Sequence, residues 1–156
     1  MRALSYSGIA TAACAPLNAL RAATSALQLR GISVTPVPEF GDWANRLWEE
    51  SLPDYGFIAR RDAHKLNSFY STDYWRLTRL RIQRRGSDIG WVCVSFPRVG
   101  GANADQGDTL RIGMIADGLA RPSEASAILA AATRYLVEQG MHLIVTNQLQ
   151  DRKSVV

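Results

Sequence analysis

The side chains best placed for chemistry in this 156-residue chain lie in one stretch, IGMIADGLARPSEAS, at positions 112–126. An apolar alternation ends there. Asp117, Gly118 and Arg121 fall in what reads as a short turn, and a helical pattern begins near Ser123 and Glu124. Backbone amides at a helix N-terminus attract phosphate, and Arg121 would add positive charge beside them. The same residues also suit an ordinary strand-to-helix loop with a Ser123 cap, and composition leaves both readings open.

Other familiar constellations are absent from the sequence. His64 and His142 have no Cys, His or carboxylate at metal-ligand spacing, so no metal is expected. Cys14 and Cys93 stand far apart and suggest neither a disulfide framework nor a metal site, which makes a reducing, cytoplasmic setting the default expectation. There is no nucleophile elbow, no GxxxxGK[ST] and no GxGxxG. The stretch VGGANADQG is Gly-rich but lies between two strand patterns, as a flexible loop does, and does not open onto a helix. Much of the formal charge of +4 comes from Arg76, Arg79, Arg81, Arg84 and Arg85. Arg79, Arg81 and Gln83 alternate with Leu80 and Ile82, the pattern of a half-solvated strand with a charged outer face. That reading is preferred to a nucleic-acid surface. No apolar run is long enough to span a bilayer, and no membrane association is expected. The opening MRALSYSGIATAACAP is too rich in Ser, Tyr and Thr for a signal-peptide core.

The elements that must position these residues follow from periodicity. PLNALRAATSALQLR, positions 16–30, has helical spacing, and ISVTPVPEF after it belongs at an edge or in a linker because of Pro36 and Pro38. GDWANRLWEESL predicts a helix with Asp42 as N-cap and Trp43, Leu47 and Trp48 on one face, and RRDAHKLNSFY predicts a second short helix. YWRLTRLRIQ and IGWVCVSF form a hairpin about Gly86. In TLRIGMIAD, Leu110, Ile112, Met114 and Ala116 share one strand face. RPSEASAILAAATRYLVEQG is the clearest helix, with Ala125, Ile128, Leu129, Ala132 and Leu136 inward and Gly140 at its end. HLIVT reads as a strand covered on both faces. Strand, helix and strand make a βαβ crossover, so the class is α/β with a mixed, mostly antiparallel sheet and flanking helices.

This order of elements resembles the GNAT superfamily of acyl-CoA N-acyltransferases. The motifs that carry the resemblance are LWEE at 47–50, RDAHKLNSFY at 61–70, Tyr74, SDIGWVCVSF and LRIGMIADGLARP, together spanning about residues 40–150. The resemblance implies an acetyl-CoA or other acyl-CoA co-substrate and an amine-bearing acceptor. It places the backbone of Met114, Ile115 and Ala116 on the cofactor arm. Gly118, Arg121, Ser123 and Glu124 would lie near the pyrophosphate, and Asn147 near the thioester. Asp117 is the only carboxylate at the strand end and the candidate catalytic base, though a role as turn former is the preferred reading. The superfamily loop Q/R-x-x-G-x-G/A is not reproduced by DGLARPSEAS.

The resemblance also implies a further helix and two strands after residue 150, so the sheet is expected to be incomplete at its C-terminal side. DRKSVV reads as the uninterrupted translation of a widely used sequencing adapter with its stop codon, and residues 151–156 are expected to be an adapter-derived tail. Residues 1–38 are expected to be a linker or the end of a preceding GNAT-like domain, and residues 39–150 a partial acyltransferase domain, inactive as it stands. The alternative is a non-catalytic GNAT-like binding or interaction module.

Overall fold

Apolar side chains at every second position need a sheet to bury them, and the described residues form one of five strands. A computed structural model describes residues 29–71, 77–96 and 110–146. Its strands are β1 (Ile32–Val37), β2 (Leu77–Arg84), β3 (Ser87–Ser95), β4 (Ile112–Ala120) and β5 (Leu143–Thr146), in spatial order β1-β2-β3-β4-β5. The first three pairings are antiparallel, and β4 pairs with β5 in parallel. The helices are α1 (Asp42–Ser51), α2 (Ala63–Phe69) and α3 (Ala125–Glu138), the last making the crossover from β4 to β5. The mixed, mostly antiparallel α/β architecture is as expected.

Two apolar layers flank the sheet. On one face Leu80, Ile82, Val92, Val94 and Ile115 meet Ile128, Ala131, Ala132 and Leu136 of α3. On the other, Trp91, Cys93 and Leu119 meet Trp43, Leu47 and Leu66 of α1 and α2. Small residues let α3 sit close. A Cβ at Gly90 would come within 2.7 Å of both Ile128 Cγ2 and the Leu119 carbonyl oxygen. The β2–β3 hairpin turns through Arg85 and Gly86, both at positive φ (51° and 85°), the backbone of a two-residue type I′ turn.

Several local expectations are corrected. Of the two places expected for residues 32–37, the edge is the one taken, and Pro36 is tolerated because among the described residues β1 has a partner on one side only. Gly41, not Asp42, is the N-cap of α1. Ser123 does not cap α3; Glu124 holds that position without a side-chain cap bond. The inward stripe of α3 is Ala127, Ile128, Ala131, Ala132 and Leu136, and Leu129 is exposed, so the helix is rotated by a fraction of a turn from the expected face. Leu110 precedes β4 and is exposed. On β5, Leu143 and Val145 are 45% and 40% exposed, so this strand is covered on one face only. Arg79 is buried, not solvated, and Arg81 pairs with Asp88 and lies over the Trp43 ring.

No helix among the described residues is long and apolar enough to cross a membrane. Asn147, the tail 151–156, the loop 99–107 and all but the last two residues of the helix expected at 16–30 lie outside the described residues; Leu29 and Arg30 are in a turn.

Candidate functional site

The turn expected at Asp117 and Gly118 is instead the second half of β4, which runs unbroken to Ala120. An irregularity in register makes this strand unusual. Cys93 of β3 faces Asp117 while the next residue, Val94, faces Ile115, so Ala116 is an extra residue, a β-bulge. The parallel register with β5 ends at Ile115 opposite Thr146. Among the described residues Ala116 is therefore the only position of β4 with no register partner in either neighbouring strand.

The bulge also resets the alternation of side chains. Ile115 and Ala120 belong to the α3 layer, whereas Ala116 and Leu119 pack into the α1–α2 layer. Asp117 points the same way as Ala116, towards α2, where four donors meet its carboxylate. Arg61 donates from Nη2 to Oδ1 (3.0 Å) and from Nε to Oδ2 (3.2 Å). The Tyr70 hydroxyl donates to Oδ2 (2.6 Å) and the Gly118 amide to Oδ1 (2.8 Å). Each carboxylate oxygen thus accepts two hydrogen bonds, close to its capacity. Asp117 thus lies within β4 and not in a turn, with its carboxylate fully hydrogen-bonded.

The short helix α2 delivers both partners, Arg61 just before it and Tyr70 at its C-cap. Its ends are secured locally. The Asp62 side chain accepts from the Lys65 amide (2.8 Å), and Asn45 Oδ1 accepts from the Ala63 amide (2.8 Å). Asn67 exchanges two bonds with the Phe40 backbone, each 2.9 Å. Arg79 donates to the carbonyls of Tyr70 and Pro38, which ties the end of α2 to β2. Arg79, Cys93 and Asp117 are cross-strand neighbours in one row beneath α2. Burial pushes the Cys93 thiol well above its ordinary range; the Asp117 charge adds to this and Arg79 opposes it. The Tyr70 phenol is raised first by burial and then by its bond to Asp117.

The remaining expected residues separate into two groups. Met114 and Ile115 have register partners in both β3 and β5, whereas among the described residues Ala116, Asp117 and Gly118 have none in β5. At the β4–α3 loop, Arg121 pairs with Asp54 (2.9 Å) and Glu124 with Arg84 (2.8 Å), while Ser123 is exposed. Arg61 and Tyr70 bound the motif RDAHKLNSFY, but the sequence gives them no role at this site. They lie 56 and 47 positions from Asp117, and no periodicity links residues so far apart. Among the described residues no group of His, Cys, Asp or Glu could hold a metal ion.

No protein-family model and no curated protein matches the sequence. Solved structures do match. A GNAT family acetyltransferase from Staphylococcus aureus aligns over 81% of this chain and 93% of its own, with a TM-score of 0.51 and 12% identity. A transcriptional regulator from Bacillus halodurans C-125 aligns over 80% of this chain and 86% of its own, with a TM-score of 0.52 and 14% identity. Over these alignments the chain has the fold of the GNAT acetyltransferases.

Proposed function

We propose that this is an N-acyltransferase domain that moves an acyl group from a pantetheine thioester, of the kind acyl-CoA carries, to an amine. The observation that carries the reading is the bulge at Ala116, where the backbone leaves the ladder on both sides. A peptide group at such a bulge, beside a stretch at 116–118 that has no β5 partner among the described residues, suits an extended ligand with amides of its own. The same peptide group can donate a hydrogen bond to a thioester carbonyl oxygen as negative charge develops on it. Asp117 acts here as a positioning residue. Held by Arg61, Tyr70 and Gly118, it fixes the bulge while its own lone pairs are occupied.

In the transfer the amine nitrogen bonds to the acyl carbon and the carbon–sulfur bond breaks. The proton lost by the amine is balanced by the thiol that leaves. The residues present fit the arm and the thioester. They do not fit the pyrophosphate of a CoA donor, because Pro122 has no amide hydrogen and both nearby arginines are already paired. That mismatch favours the second reading, a non-catalytic module that keeps the fold for binding.

Thiol release from acetyl-CoA in the presence of a panel of primary amines separates the two. Amine-dependent release above the protein-free rate supports the transferase. Saturable binding without release for any amine supports the module, and the absence of both refutes each.

A further inference from the structure

We infer that Glu124, with Asp54, is a specificity-determining residue that turns the β4–α3 loop against the pyrophosphate of CoA, so that a donor is selected by its pantetheine arm and not by its nucleotide. The inference rests on the acyltransferase reading above and concerns the other end of the same donor.

A strand-to-helix loop binds a diphosphate when helix amides and cations face it without competing anions. Here both cations and the amides of Glu124, Ala125, Ala127 and Ile128 are already committed. Glu124 stands at the N-cap of α3, so the positive end of the helix dipole acts on a carboxylate of the chain itself. The Glu124 amide donates to the Arg121 carbonyl (2.8 Å), and its carbonyl accepts from the Ala127 and Ile128 amides (3.0 Å each), which closes the first turn on itself. Arg84 reaches from the end of β2 to Glu124 Oε1 at 2.8 Å. Arg121, the cation the sequence offers to phosphate, is held by Asp54 at 2.9 Å, and Glu50 lies near enough to act on the same guanidinium. Two arginines thus face three carboxylates, Asp54, Glu124 and Glu50, where a pyrophosphate would bring about two further negative charges. Pro122 removes one more amide from the loop. The arm-binding edge at residues 116–118 lies outside this arrangement, because its partners are backbone groups and the Asp117 cluster.

Calorimetric binding of acetyl-CoA and of S-acetylpantetheine to the full chain, and to its Glu124→Gln and Asp54→Asn variants, tests this. The wild-type chain is expected to bind the two ligands within about threefold of each other. Either variant frees an arginine, and acetyl-CoA alone then gains about tenfold per carboxylate removed, with a steeper salt dependence. S-acetylpantetheine affinity stays unchanged. The Asp54 pair is partly exposed and away from the core, so Asp54→Asn carries the test even where Glu124→Gln unfolds the start of α3. A wild-type preference for acetyl-CoA above about thirtyfold, or equal gains for both ligands, overturns the inference and leaves the acyltransferase reading standing. Failure of every variant to bind either ligand overturns both.

Discussion

The proposed hold of Asp117 on the bulge runs through a partly buried, two-bond ion pair with Arg61, and it is open to a quantitative test. The side chains of Asp117 and Arg61 are 17% and 24% exposed, so their attraction is less screened than that of a surface pair but still reached by water. Pairs lost from a fully buried setting cost about 3–5 kcal/mol, and exposed pairs contribute about 0–1 kcal/mol. The intermediate burial places Asp117→Asn at a loss of about 1–2 kcal/mol, since the amide keeps the shape and one acceptor. Asp117→Ala strands the Tyr70 hydroxyl, the Gly118 amide and the guanidinium together, and is expected to cost about 2–4 kcal/mol. Urea titrations of the wild type, Arg61→Ala, Asp117→Asn and the double variant give the coupling directly, provided the m-values agree. A coupling of about 1–2 kcal/mol is expected. Additivity within about 0.3 kcal/mol would show that the pair does not hold the strand, and the positioning role of Asp117 would fall with it.

Three further outcomes follow from the same geometry. The Tyr70 phenol is raised above its ordinary 10.0, so its contribution is complete below pH 10 and is lost as pH rises further, because the unfolded chain ionises first; Tyr70→Phe should be about 1 kcal/mol less stable at pH 7, and that gap should narrow above pH 10 in urea titrations. The buried Cys93 thiol, raised above its ordinary 9.0, should react with a disulfide reagent at least a hundredfold more slowly in the native protein than in urea, measured in a Cys14→Ser background; comparable rates would place Cys93 at the surface. Gly90→Ala forces a Cβ against Ile128 and the Leu119 carbonyl and should lower stability by about 1–3 kcal/mol; a change under about 0.5 kcal/mol in the urea midpoint would mean that α3 is free to move away.

What was legible in the sequence was local. The β2–β3 hairpin, α3 and the parallel crossover announce themselves through alternation, a glycine turn and helical spacing, signals that are each local to one element or one turn. The placement of Asp117 was not legible, because an inserted residue leaves composition unchanged while shifting every later side chain by one face. Arg79 looked solvated for a similar reason. Its partners are the carbonyls of Pro38 and Tyr70, and a backbone acceptor has no side-chain signature. The ion pairs of Arg121 and Glu124 join positions 67 and 40 residues apart, so the loop read as open to phosphate when its charges were already matched. The partial exposure of β5 likewise depends on which elements cover Leu143 and Val145, and alternation cannot report this.

The central claim is that a pantetheine thioester lies along β4 from the bulge at Ala116. A titration of the ¹⁵N-labelled chain with acetyl-CoA, followed through backbone amide shifts, reads it residue by residue. The account predicts saturable shifts at Ala116, Asp117 and Gly118, with the hairpin amides of Arg85 and Gly86 unmoved as an internal control. Saturable shifts elsewhere with Ala116 silent, or no saturable shift at all, would contradict it.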